Sequence, residues 1–344
     1  MRYGAILAAA VLVLAAPVSG HHSDAALDME SIVTFEGTVT EFSMRNPHTY
    51  FTVETSGESG EQVEWTVQMA SAISVSRMGW TTDSLSVGDR VMVGVHPARD
   101  GRSYGLFDSI ERADGGPLRS SLVRDFNDLA DPDAAATTLE GKWIVDSSSL
   151  VNYPGGLDQL MIAELTLTEK GKVAEAAYSQ DSEENPELAC ITKPTPGMIV
   201  YTDLYPLEIE FNEGEETITL RSQYFDQERT VYMDGREHPH AGERFHEGHS
   251  IGRREGDVLV VDTANFADHR SPYQNGVPSG AGKHVVERYR LGEGGTRMEV
   301  EFMLEDPEYI VGSMTHSRRL IYSPQLVMTP FDCDLEATRR FVPQ

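Results

Sequence analysis

Runs of alternating apolar and polar residues recur from Ile32 almost to the end of the chain. Side chains that change face with a period of two belong to half-buried β-strands. IVTFEGTVTEFSM, HTYFTVET, QVEWTVQM, DRVMVGVHPA and SYGLFDSIERA are such runs in the first third, with ASAISVSRMG reading as a helical insert after the third and VGD as a turn before the fourth. From Leu139 the pattern resumes in GKWIVD, MIAELTLTE, GMIVYTDL, LEIEFNEGEETITLRSQY, RTVYMDG, GHSIGRREGDVLVVDTANF, HVVERYRLGEGGTRMEVEFML and HSRRLIYS. NEGEE, REGD and GEGGT put turn residues between runs, so successive strands are expected to pair as antiparallel hairpins. No helix longer than a few turns is visible, and the predicted fold class is all-β.

Residues 114–138, which include GGP and DPDAAATT, read as a linker between a domain at 21–113 and another at 139–344. Five strands with a helical insert predict a small closed barrel resembling the oligonucleotide/oligosaccharide-binding (OB) fold. HHS, VTFEGTVTEFSMRNPH, Trp65, Gly79-Trp80 and VGDRVMVGVHPARDG together resemble an uncharacterised family of small exported bacterial proteins, over about Gly20 to Asp114. That resemblance implies export and a small β-barrel; it brings no activity. In the second domain, Gly141-Lys142-Trp143 resembles the GxW opening of lipocalin-like (calycin) barrels, where the Trp plugs the closed end. Followed by a long meander, it predicts a larger antiparallel up-and-down barrel with an interior ligand cavity. HPH…GHSIGRREGDVLVVDT with the later HVVERY also resembles a widespread exported bacterial domain, again without an activity to transfer.

Residues 1–20 carry Arg2, an apolar run from Ala5 to Ala16, and Val18 and Gly20 at the −3 and −1 positions of a cleavage site, the plan of a secretory signal peptide. A periplasmic or secreted protein is therefore expected, with no membrane insertion after cleavage. The net charge of −27, from 28 Lys and Arg against 55 Asp and Glu, argues against nucleic acid and anionic lipid as partners. A small molecule is the expected partner. Cys190 and Cys333 either pair in an oxidising compartment or stand as separate buried thiols; spacing does not decide.

The densest chemistry lies between Arg229 and Thr263, where His238, His240, His246 and His249 fall close together among acids and arginines. Alternation puts Asp262 with Val258 and Val260, opposite Leu259 and Val261. If the Asp262 face lines the cavity, apolar surroundings raise its pKa toward a general acid's range. His249, Asp262 and His284 are the candidate catalytic residues, with Arg229, Arg253, Arg288 and Tyr232 as candidate ligand contacts. A His–Asp pair beside an Arg suits a lyase, hydratase or isomerase acting next to a carbonyl; the same residues also read as a buried network that fixes strand register. A different class is a periplasmic copper- or zinc-binding protein. Cleavage after Gly20 exposes the His21 amine, which with His22 or His48 resembles the histidine brace of copper oxygenases and copper carriers. His238 and His240 share a face of an extended segment and are the second candidate metal pair. The GHSIG letters at 248–252 fall inside an alternating strand run and not at the strand-to-helix turn a serine nucleophile needs, and no GxxxxGK[ST] or GxGxxG motif appears.

Overall fold

A computed structural model describes residues 27–57, 60–112, 117–118, 134–150, 160–178, 182–273 and 276–340. The expected signal segment, His21, His22 and most of the expected linker lie outside these residues. The described chain forms two β-barrels.

The first barrel consists of β1 (Val33–Ser43), β2 (Tyr50–Ser56), β3 (Gln62–Gln68), β4 (Arg90–Pro97) and β5 (Tyr104–Arg112). Neighbours run β3-β2-β1-β4-β5, and a parallel pairing of β3 with β5 closes the circle in OB order. Alternation supplies the core: Val39, Phe51, Val53, Val67, Val93 and Phe107 are fully buried. Between β3 and β4 the insert forms α1 (Ala72–Arg77), started by Ser71 Oγ accepting from the Ser74 N–H. Pro117–Leu118, expected within the linker, adds β6 beside β5.

The second barrel consists of β7 (Gly141–Val145), β8 (Leu207–Asn212), β9 (Thr217–Ser222), β10 (Gln227–Tyr232), β11 (His249–Glu255), β12 (Val258–Ala264), β13 (His284–Leu291), β14 (Arg297–Glu305) and β15 (Ser313–Tyr322). Each strand pairs with the next and β15 returns to β7. Strands in a ring of nine cannot all alternate in direction, so one pair must be parallel. That pair is β10 with β11, joined only through Val231 to Ser250 and Tyr232 to Ile251. The strictly antiparallel barrel expected from the meander is corrected at this join. Two expected strands are also helical. MIAE lies in α2 (Leu160–Glu164), followed by α3 (Glu169–Ala176), because Leu, Met, Ala and Glu favour helix over so short an alternation. GMIV forms α4 (Gly197–Val200), with all four residues buried, so no polar face was there to read.

Trp143, Leu259, Val261, Val285, Tyr289, Val300 and Phe302 are fully buried in one core cluster. Packed side chains thus occupy the interior where a ligand cavity was expected. The barrels meet through Ile73 of α1 and a cluster of Tyr201, Tyr205, Tyr224 and Phe331. Tyr205 OH donates to Ser71 Oγ at 3.0 Å, and Arg45 pairs with Asp334 at 2.9 Å across the same contact. Cys190 and Cys333 form a disulfide beside it, which settles the alternative that the sequence left open.

Candidate functional site on the outer face of the second barrel

Strand parity decides where each charged side chain goes. On β12, Val258 to Val261 and Thr263 are all buried, but of the valines and leucine only Leu259 and Val261 belong to the barrel core cluster, so Val258, Val260, Asp262 and Ala264 face out of the barrel, where Val260 is covered by its neighbours. The expectation that the Asp262 face lines the interior is therefore corrected. Register then builds a row across the outside: His249 stands opposite Ala264, and His284 opposite Glu305 on the far side of β13. The Ala264 methyl leaves room between the two imidazoles, and Asp262 occupies the next row. The chain from 233 to 248, which makes the parallel join, lays His238 over this gap.

Four side chains form one hydrogen-bonded chain. Asp262 Oδ1 meets His284 Nε2 at 2.9 Å and His238 Nε2 at 3.0 Å. His238 Nδ1 meets His249 Nδ1 at 3.0 Å. The Asp262 carboxyl lies below the ordinary carboxylate range, chiefly because His284 donates to it, with His238 adding to the effect against partial burial. The expected rise in its pKa is reversed, since flanking imidazoles outweigh desolvation at a site still 27% exposed. His284 is shifted upward from 6.5, first by its bond to Asp262, and Glu305 lies 3.7 Å from its Nδ1. His249 is shifted downward, first by desolvation and then by His238.

The network assigns the protons. With Asp262 ionised, His238 Nε2 and His284 Nε2 must both donate to it. A neutral His238 then presents a lone pair at Nδ1, to which His249 Nδ1–H donates. The lone pair of His249 is left at Nε2. One end of the chain is thus a lone pair at His249 Nε2, and the other is His284, whose protonated form Asp262 favours.

The surrounding residues fix this geometry. Tyr232 stacks on His249 with ring centroids 5.1 Å apart, and the Arg236 guanidinium lies 3.8 Å from the centroid of the Tyr232 ring while forking onto Asp234. Asn265, in a left-handed backbone conformation at φ 58°, donates from Nδ2 toward the carbonyls of Pro239, His240 and Glu243. It clamps the loop that carries His238. Gly248 has φ 77°, and a Cβ there would lie 2.6 Å from Thr263 Cγ2, so only glycine admits the turn that delivers His249. Asn265 and Gly248 were missed from sequence; an Asn immediately after a strand, with its tolerance for positive φ, was the available signal for the first.

The other predicted residues lie elsewhere. Arg253 and Arg288 flank Val260 on the outer face, one row beyond Asp262, and both bond Glu255. Arg229 points inward, where it forks onto fully buried Glu287 at 2.7 and 3.0 Å, with Thr263 and Tyr289 as further partners. It is not part of the outer cluster. His48 sits in the first barrel against Gln68 Nε2 at 3.2 Å, and burial lowers it to about 4. His240 is exposed, and its carbonyl rather than its ring is engaged. Among the described residues no three of His, Cys, Asp and Glu gather as a metal-ligand set.

Residues 9–108 match the model of DUF6152, a family of unknown function. The match reaches the middle of β5 and does not touch the second barrel. No curated protein matches the chain.

Proposed function

We propose that the outer face of the second barrel binds a small carbonyl-bearing molecule and moves a proton on it, in the manner of a lyase, hydratase or isomerase. The observation that carries this reading is the junction at Asp262 Oδ1, which joins His284 and, through His238, His249 within hydrogen-bonding distance. A base must be unprotonated and its acid protonated at the same pH, and the two shifts separate His249 and His284 in that sense. In this scheme His249 Nε2 takes a proton next to the carbonyl. Asp262 stabilises the positive charge passed to His238, and His284 supplies a proton from the opposite end. Arg253 and Arg288, one row away, are suited to draw an anionic group of the substrate along the face. We further propose that the protein works in an exported compartment. The disulfide is compatible with that setting, and no helix among the described residues is long and apolar enough to cross a membrane.

The test is proton exchange in deuterated water, followed by NMR on a panel of small ketones and 2-hydroxy ketones. The full chain should introduce deuterium next to the carbonyl of at least one, with a bell-shaped pH dependence whose limbs fall on either side of 6.5, the ordinary imidazole value. His249→Gln and Asp262→Asn should each abolish it. Exchange that is absent throughout, or unchanged in both variants, contradicts the reading.

A further inference from the structure

Away from the outer cluster, the chain between β12 and β13 folds Tyr273 and Val277 onto the barrel core and ends at Lys283. Lys283 is only 2% exposed, and its Nζ has no hydrogen-bond partner among the described residues. It rests over the rings of Phe266 at 4.2 Å and Tyr273 at 5.2 Å. Glu247 and Asp306 act on it electrostatically, and both carboxylates accept hydrogen bonds from other groups. Glu247 accepts from Gln227 Nε2 at 2.8 Å and Thr195 N at 3.1 Å. Asp306 Oδ2 accepts from Tyr273 OH at 2.9 Å and Gly280 N at 2.8 Å, leaving Oδ1 as its one unpartnered oxygen.

A second buried donor lies within electrostatic reach of Lys283. His269 is 7% exposed, and its Nδ1 accepts from the Ser271 N–H at 3.2 Å, which puts the ring proton on Nε2. No hydrogen bond of good geometry reaches that Nε2 among the described residues, and the Thr192 backbone is the weak hydrogen-bonding neighbour of the ring. Desolvation, followed by the charge of Lys283, holds His269 neutral at about 3, so it remains a donor and not a cation. His246 packs against it with ring centroids 5.7 Å apart, and Lys193 on the facing wall is tied to Glu187. His269 also lines a cleft of about 690 Å³ together with Arg244, Asp268, Arg270, Ser279 and Glu308, Arg244 being paired to Asp268 at 2.6 Å. Buried donors without acceptors are costly, and Lys283 Nζ and His269 Nε2 each lack an acceptor in good hydrogen-bond geometry among the described residues.

We propose that Lys283 and His269 form a binding site for a small oxyanion, a carboxylate or inorganic phosphate, entered through the cleft that His269 lines. An oxyanion supplies two acceptors and one negative charge, which answers both orphaned donors. The site is separate from the outer histidine chain, since Lys283 and the adjacent His284 point to opposite faces. Burial lowers Lys283 to about 7 while Glu247 and Asp306 pull the other way, so anion affinity should fall as pH rises through that value.

The experiment is calorimetric titration of the full chain at pH 6 with inorganic phosphate and, separately, with acetate, at constant ionic strength set by chloride. One or both should bind, and the stronger names the anion type. Lys283→Met and His269→Gln should each weaken it at least about tenfold, the equivalent of one charge-assisted hydrogen bond. Asp262→Asn should bind as the unaltered protein does. If Lys283→Met fails to fold, His269→Gln and the loss of affinity above pH 7 decide. Heats no larger than with chloride, or equal affinity in the folded variants, overturn the proposal.

Discussion

Two carboxylates one residue apart in register show how the second barrel separates stability from chemistry. Val261 of β12 pairs with Glu287 and Asp262 pairs with Val286, so the sheet turns Glu287 inward and Asp262 outward. Glu287 is sealed and meets a guanidinium that no pH near neutrality discharges; burial opposes the charge on Arg229, and Glu287 overrides it. Asp262 keeps contact with solvent and meets the imidazoles of His238 and His284. The inner pair is sealed from solvent and fixes register. The outer chain holds His249 shifted down and His284 shifted up, the separation that proton transfer between a base and an acid requires.

The sharpest way to break this contrast is Glu287→Ala. It leaves Arg229 charged in the interior, and urea unfolding should show a loss of about 3–5 kcal/mol, while the double change Arg229→Met with Glu287→Leu should recover most of it. A loss under about 1 kcal/mol would mean that water reaches the pair. Asn265→Ala comes next. Without its amide three loop carbonyls lose a donor, so stability should drop by about 1–2 kcal/mol and amide exchange at residues 239–243 should quicken. Unchanged exchange there would show that the loop is held by other contacts. Asp262→Asn should cost least, under about 1 kcal/mol, since the groups are partly exposed. Its signature is in pH dependence. Asp262, lowered from 3.8, contributes stability that disappears as pH falls through its folded value; His284, raised from 6.5, contributes stability that disappears as pH rises through its own. The pair therefore stabilises most between 3.8 and 6.5, and Asp262→Asn should flatten that window. A window that survives the substitution would assign it to other groups.

The barrels were legible because alternation is a local signal, and wherever one face is buried it also fixes which side chains share that face. That is why His249, Asp262 and His284 could be grouped from sequence. Alternation alone does not say which face is inside, and Asp262 was placed on the wrong side for that reason: Val258 and Val260 are as apolar as Leu259 and Val261. The parallel join was illegible because it depends on ring closure, a property of nine strands together. His238 reached the site through the loop created by that join, so its partnership with Asp262 had no periodic signature. Lys283 and His269 were invisible for a similar reason. Their isolation from acceptors is a fact of tertiary packing, and each alone reads as an ordinary polar residue.

The account rests on opposite proton affinities at the two ends of one histidine chain. Those are measured directly by following the imidazole carbon and nitrogen resonances of His249 and His284 through a pH titration, in the unaltered protein and in Asp262→Asn. His284 should titrate above 6.5 and His249 below it, and the substitution should carry the His284 midpoint downward. Midpoints that coincide at 6.5 and do not respond to Asp262→Asn would contradict it.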